Sequence, residues 1–175
     1  MDLGGSFHKG PFVVGSTVTL TPLDNEGNST GELFSTQTIN DRGDFTTTIH
    51  ASGALSLEGS GFYYNEVTGQ LSDAPIALRA HFELGEEEVQ TAYVNLITHL
   101  SAGRVRALVA EGSTFADAID QAEGELHAGL HIGLGTPPGS DGTTLDLLGG
   151  DAFDNAYLFA TSAVIAQLVQ DRTGP

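Results

Sequence analysis

The chain has no cysteine, no tryptophan and only six lysine and arginine residues in 175. The absence of cysteine excludes a disulfide framework, a thiolate metal site and a cysteine nucleophile. No apolar run approaches the roughly 18 residues that span a bilayer, so we expect no membrane insertion by this segment. The first ten residues are polar and glycine-rich, which is unlike an export signal. If the protein is exported, we expect its signal to have been removed.

The basic residues are outnumbered by 23 aspartate and glutamate residues, and the formal net charge is −17. A surface of this sign repels the phosphates of nucleic acids and anionic lipid headgroups. We therefore expect no nucleic-acid partner. Solubility is the simplest interpretation of the acidity, and cation binding is the alternative.

The first half of the chain alternates apolar and polar residues with the period of half-buried strands. The strand at 76–84 shows this most clearly, because its apolar positions alternate with Arg79, His81 and Glu83, which we expect to face water. A turn at 40–44 joins the second and third strands, which we expect to form a hairpin. Strands are predicted at 17–21, 31–39, 45–51, 55–64, 76–84 and 90–94.

The second half has helical periodicity. The first predicted helix runs from Asn95 to near Gly112. Thr114 and Asp117 form a capping box for the second, whose apolar stripe implies that Asp117, Asp120 and Glu123 face water.

Glycine and proline predict a long loop at 128–150, and a third helix at about 155–171 is apolar nearly all round, which implies burial on more than one side. These patterns predict an α+β protein, with an antiparallel β-sandwich at 1–94 and a three-helix annex at 95–175 packed on it. The two parts could also form one integrated domain.

Two sets of motifs resemble known families. The strand Val13–Leu20, followed by Asn40-Asp41-Arg42-Gly43-Asp44-Phe45, resembles the carboxypeptidase-regulatory-like, or prealbumin-like, domains of secreted proteins, with Asn40 in place of the family's aspartate. That likeness implies a prealbumin- or immunoglobulin-like sandwich. A group of bacterial surface lipoproteins and secreted proteins is similar over more of the chain, and the resemblance implies export without supplying catalytic residues. The motifs are Lys9–Val13, Gly61–Gly69, Val94–Leu100 and Arg104-Val105.

The first candidate binding site is the aromatic segment at 62–66. Aromatic rings stack on the apolar faces of sugars, and the candidate binding residues are Tyr63, Tyr64, Asn65 and Glu66. Strand alternation places Tyr63 opposite Phe62 and Tyr64, which argues against a three-ring platform. Core packing of the rings, with Asn65-Glu66 in a polar cluster holding sheet to helix, is the alternative.

Several side chains have the chemistry of metal ligands. His127 and His131 have the i, i+4 spacing of a zinc pair, although glycines flank them and no further ligand follows. Calcium prefers oxygen ligands, and two acidic loops supply them, but ordinary solvated turns have the same composition. Apart from calcium we expect no cofactor. The calcium candidates are Asp24, Glu26, Asn28 and Glu32 in one loop and Asp141, Asp146, Asp151 and Asp154 in the other.

Three further motifs are interpreted as structural. His99 is expected to be a hydrogen-bonded histidine in a packed surface, with proton transfer as the alternative. Gly27-Asn28-Ser29-Thr30-Gly31 matches the nucleophile-elbow pattern, but it joins two strands and is typical of a turn. Gly133-Leu134-Gly135 lacks the third glycine of a dinucleotide loop.

These observations favour a non-catalytic exported module, at the cell surface or secreted, with a structural or interaction role. The alternative is a carbohydrate-binding module, with or without calcium. A hydrolase whose site has no sequence motif, using His99, His127 or His131, is the third hypothesis. The expected partner is a protein or a glycan at the cell surface.

Overall fold

The computed structural model describes residues 1–66, 68–133, 141–149 and 152–173, with side chains in the last helix described as far as residue 168. The strands of the described chain form two sheets, of order β4-β1-β7 and β3-β2-β5-β6, and three helices follow. The predicted α+β sandwich with a three-helix region is confirmed. The strands are β1 Asp2–His8, β2 Thr17–Pro22, β3 Phe34–Gln37, β4 Asp44–Thr48, β5 Gly53–Gly61, β6 Ile76–Leu84 and β7 Val89–Asn95.

The main core lies between the two sheets. Phe7 of β1 is fully buried, and its ring centroid lies 5.4 Å from that of Phe45 on β4. Gly59 of β5 faces this ring so closely that a Cβ atom there would lie 2.3 Å from a carbon of Phe7. From the second sheet, the predicted inward face of β5, including Leu55 and Leu57, joins the same core.

Strand β1 was not predicted from the sequence. Its two central residues, Gly4 and Gly5, have low strand propensity, so little local signal marks it. The strand is nevertheless the centre of its sheet, where it pairs antiparallel with β4 and parallel with β7. Pairing on both edges compensates for the weak propensity.

The predicted hairpin around the turn 40–44 is wrong. Strand β3 pairs with β2, whereas β4 pairs with β1 in the other sheet. The turn therefore crosses from one sheet to the other. It is held by Asn40, whose side-chain oxygen accepts hydrogen bonds from the backbone N–H groups of Arg42 and Asp44.

The helices are α1 Leu96–Ala110, α2 Phe115–Leu130 and α3 Ala152–Thr173. The predicted start of α1 is confirmed, since Asn95 caps it with a side-chain oxygen that accepts from the N–H groups of Ile97 and Thr98. Thr114 caps α2 by accepting from the N–H of Asp117, which confirms the predicted cap. The Asp117 carboxylate accepts from the Thr114 hydroxyl, so the reciprocal backbone bond of a capping box is not part of this cap. No helix in the described part of the chain has the length and apolar character needed to cross a bilayer.

Helices α1 and α2 cover one end of the outer face of the four-stranded sheet. Ala54 of β5 is buried there against apolar residues of both helices, including Val105 and Phe115. Helix α1 also packs along β6, which is the edge of that sheet. The other end of the same face carries polar residues and stays open.

The segment 141–149 packs beside these helices. It contains a short 3-10 helix at Gly142–Thr144, within the predicted loop, and Leu145 is buried with Ile97, Tyr157 and Leu158. The amide of Asn95 donates to the carbonyl oxygens of Gly142 at 2.8 Å and Leu145 at 3.1 Å. The α1 cap therefore also anchors this segment.

Helix α3 extends beyond its predicted bounds and is less buried than predicted. Tyr157 and Leu158 are buried, but Phe159 and Leu168 are 45% and 52% exposed. The prediction of burial on more than one side is thus wrong for the described side chains. The helix lies at the edge of the fold, where one face has neighbours.

Candidate functional site

A polar pocket of about 350 Å³ lies on the outer face of the four-stranded sheet. Three adjacent strands form its floor and supply a first row of side chains. Thr19 of β2 lies opposite Glu58 of β5, and Glu58 lies opposite Arg79 of β6. Directly opposite residues share a sheet face. The Arg79 guanidinium donates two hydrogen bonds to Oε2 of Glu58, one of them from Nε at 3.0 Å.

A second row of residues lies on the same sheet face, two residues further along each strand. Thr21 lies opposite Ser56, and Ser56 lies opposite His81. The two hydroxyl residues are half-buried, whereas His81 is 5% exposed where the sheet passes beneath the helices. Its ring centroid lies 6.1 Å from that of Phe115 on α2.

The expectation that His81 faces water is therefore wrong, and its environment has two consequences. Burial, assisted by the charges of Arg106 and Arg79, lowers the pKa of His81 to about 4, so the ring is neutral at pH 7. The nearby backbone of Ala102 acts against this lowering of the pKa, although it is not placed to form a hydrogen bond with the His81 ring. Neither ring nitrogen has a hydrogen-bond partner in the described structure.

The walls of the pocket are a turn and a helix. Asn28 and Ser29 line it from the turn between β2 and β3, and Arg106 lines it from α1. Asp24 shapes the turn by accepting hydrogen bonds from the N–H groups of Glu26 at 2.9 Å and Asn28 at 2.8 Å. A ligand here would meet hydroxyl and guanidinium groups on the strand floor, and amide, hydroxyl and guanidinium groups on the walls.

The aromatic segment at 62–66 lies elsewhere on the sandwich. Phe62 and Tyr64 are 40% and 37% exposed, while Tyr63 is half-buried with its ring centroid 6.5 Å from that of Phe12 in the core. The predicted alternation of these three rings is confirmed. Asn65 caps the following turn by accepting a hydrogen bond from the N–H of Thr68 at 3.1 Å.

Glu66 belongs to a buried polar cluster. Its Oε1 accepts a hydrogen bond from Nζ of Lys9 at 3.0 Å and another from the hydroxyl of Ser162 on α3. The Glu66 side chain is 7% exposed, and its Oε2 has no partner in the described structure. This arrangement joins the sandwich to α3 and fits the structural interpretation of Glu66.

The calcium candidates serve mainly as turn and loop anchors. Asp24 holds its own turn, and hydrogen bonding to the Asn28 backbone lowers its pKa. Asp141 accepts hydrogen bonds from the backbone and hydroxyl of Thr143. Asp146 lies 3.6 Å from Nδ1 of His8. Within the described ranges no group of three or more His, Asp or Glu residues is placed to hold a metal ion.

Each of the candidate histidines has a hydrogen-bond partner of its own. Nδ1 of His127 lies 2.5 Å from the hydroxyl of Tyr157, and Nδ1 of His131 lies 2.9 Å from a backbone carbonyl at the same helix end. His99 accepts a hydrogen bond from the backbone N–H of Arg79 at 3.2 Å. It thereby satisfies a donor at the edge of β6, which confirms the expected hydrogen bond, but His99 is exposed, so the expectation that it lies in a packed surface is wrong.

Of the remaining motif residues, some lie in the described structure and others do not. The elbow-like Ser29 lies in a turn between two strands and is bridged to Leu23, which confirms the turn interpretation. Leu134, Gly135 and Asp151 lie outside the described residues.

The pocket was not predicted as a site. In the sequence, Asn28 is a calcium candidate and Ser29 belongs to the elbow-like motif, while the alternation of β6 predicts that Arg79 and His81 face solvent. A usable signal was present, since β2, β5 and β6 all alternate apolar residues with hydroxyl or charged ones. Strand order and the position of α1 were needed to bring these residues together.

Neither the comparison with protein-family models nor the comparison with curated proteins found a match to this chain.

Proposed function

We propose that the chain is a non-catalytic exported binding module and that the pocket binds a sugar residue of a glycan. The observation that carries this proposal is the pocket floor, where Thr19, Thr21 and Ser56 lie in register beside Glu58 and Arg79. Hydroxyl groups both donate and accept hydrogen bonds, so they complement the hydroxyls of a sugar. Residues on strands also hold their geometry better than residues on loops.

The size and polarity of the pocket support a small hydroxylated ligand. Its volume of about 350 Å³ falls at the lower end of the roughly 300–1,000 Å³ typical of small-molecule sites. Such sites are mostly apolar, whereas this one is lined chiefly by polar groups. A single sugar residue, with the rest of the glycan in solvent, fits both properties.

The charged groups favour binding over hydrolysis. Glycosidases commonly use two carboxyl groups on either side of the scissile bond. Among the described residues that line this pocket, Glu58 is the one carboxylate, and it is ion-paired with Arg79. Export itself is proposed from the resemblance to surface and secreted proteins.

The test is isothermal titration calorimetry with a panel of neutral and acidic oligosaccharides, each in calcium and in chelator because the Asp24 turn forms one wall. The test variant is Thr19→Val/Thr21→Val, which removes two pocket hydroxyls and keeps strand-favouring side chains. We expect this change to weaken binding by roughly tenfold or more, since each hydrogen bond contributes about 0.5–1.5 kcal/mol. Thr17→Val is the matched control, because Thr17 lies on the same face of β2 outside the pocket.

Two results would count against the proposal. If no oligosaccharide binds under either condition, glycan recognition by this chain is refuted. If glycans bind but the double variant binds as tightly as the Thr17→Val control, the site lies elsewhere. The exposed Phe62 and Tyr64 would then be the next residues to substitute.

A further inference from the structure

Among the basic residues whose side chains the structure describes, Arg106 differs from the others in its ion pairing. Four described basic residues have a carboxylate within 4 Å, in the pairs Lys9–Glu66, Arg42–Asp44, Arg79–Glu58 and Arg104–Glu125. Arg106 has no such partner among the residues that the structure describes. In a chain with 23 acidic residues and six basic ones, an unpaired arginine beside a pocket is unexpected.

Arg106 contributes the uncompensated charge of the pocket. It lines the pocket from α1 together with Asn28 of the turn, and both residues also line an adjoining groove in which Glu26 supplies the acidic group. The second arginine of the pocket, Arg79, is balanced by Glu58. Burial is the main cause of the lowered pKa of His81 on the pocket floor, and the charge of Arg106 acts in the same direction.

We propose that the sugar bound in this pocket is acidic and that its carboxylate pairs with the guanidinium of Arg106. This inference rests on the proposed function, which it makes more specific. A guanidinium presents parallel N–H donors that match the two oxygens of a carboxylate, so it recognises this group better than a hydroxyl. The threonine and serine hydroxyls of the floor then bind the ring hydroxyls of the same sugar.

The charge of the rest of the molecule restricts the type of glycan. A net charge of −17 repels a polyanion over the whole surface. At physiological ionic strength this repulsion is screened beyond about 8 Å, so one carboxylate in contact with Arg106 is affected far less than a row of them. The preferred ligand is therefore a largely neutral oligosaccharide that carries a single uronic acid.

The experiment compares two probes that differ in one group. The first is a xylo-oligosaccharide bearing one glucuronic acid, and the second is the same oligosaccharide with that carboxyl group reduced to an alcohol. We expect the acidic probe to bind the unmodified protein about ten- to hundredfold more tightly, the range of a charge-assisted hydrogen-bonded pair. Arg106→Gln should remove this preference by weakening binding of the acidic probe, so that the two probes bind the variant about equally tightly.

Arg104→Gln is the matched control. It removes the same charge from α1, and its partner Glu125 is exposed like Arg104 itself, so little stability is lost. We expect both probes to bind this variant within about twofold of the unmodified protein, because an exposed charge outside the pocket is screened.

The outcomes separate this inference from the proposed function. Equal binding of the two probes to the unmodified protein, or an Arg106→Gln loss of the same factor for both, overturns the acidic-sugar inference and leaves glycan binding intact. Tighter binding of polygalacturonate than of the single-acid probe overturns the preference for an isolated acid. Absence of binding by both probes and by the neutral panel overturns the proposed function itself.

Discussion

Replacing Glu123 should change how the stability of this protein depends on pH. Glu123 lies on α2, is 4% exposed, and accepts a hydrogen bond at Oε2 from the backbone N–H of Gly142 at 2.7 Å. Burial raises its pKa to about 8, and the charges of Asp141 and Asp120 act in the same direction, whereas the Gly142 hydrogen bond opposes them. The sequence pattern predicted that this side chain would face water, and that prediction is wrong.

The sign of the effect follows from proton linkage. The folded-state pKa of Glu123 lies above its ordinary value of 4.5, so between these two values the folded protein keeps a proton that the unfolded chain releases. The stabilisation is complete below pH 4.5 and is lost as the pH rises through 8. At about 1.4 kcal/mol per pKa unit, the loss reaches about 3 kcal/mol at pH 7.

Glu123→Gln removes the ionisation and keeps a carbonyl oxygen that can accept from Gly142. We expect urea unfolding to show little change in the free energy of unfolding near pH 4.5. At pH 7 the variant should be more stable by up to about 3 kcal/mol, which corresponds to a melting temperature higher by roughly 6–12 °C. The measurement is a series of urea titrations between pH 4.5 and 9.

Glu125→Gln provides the control on the same helix. Glu125 is exposed, and hydrogen bonding to Arg104 lowers its pKa to about 2, so the same substitution there should give no stabilisation at pH 7. The reasoning about Glu123 is refuted if Glu123→Gln is equally stabilising at pH 4.5 and pH 8, or if it has no effect at either.

Two other pairs of substitutions, each a test and its control, examine the packing of the sandwich. Gly59→Ala places a methyl group 2.3 Å from the Phe7 ring, so overpacking should lower the free energy of unfolding by about 1–3 kcal/mol in chemical denaturation. Gly103→Ala, which meets nothing within 4 Å on α1, should be neutral or stabilising, and equal effects of the two would contradict the packing account. Tyr63→Ala should lower the melting temperature in calorimetry by several degrees more than Tyr64→Ala, because the Tyr63 ring packs against the core. A larger effect of Tyr64→Ala would show that the assignment of inward and outward rings is wrong.

Local patterns in the sequence determined much of the secondary structure. The alternation in β6 and β7, the Asn95 cap of α1 and the Thr114 cap of α2 all depend on residues within a few positions of one another. For that reason they could be predicted without knowledge of the partners. The succession of strands and then helices, which defines the fold class, was predictable on the same basis.

Tertiary structure alone decided which strands pair and which polar residues are covered. Strand β1 has little local signal and is stabilised by two neighbours distant in sequence, and the turn 40–44 crosses between sheets because its flanking strands pair elsewhere. Glu123 and His81 occupy positions whose sequence pattern indicates exposure, yet the segment 141–149 and the helices bury them. The pocket could not be predicted for the same reason. The alternating sequence pattern of a polar sheet face is the same whether that face is open to solvent or covered by a helix. Only the position of α1 brings Arg106 to the pocket.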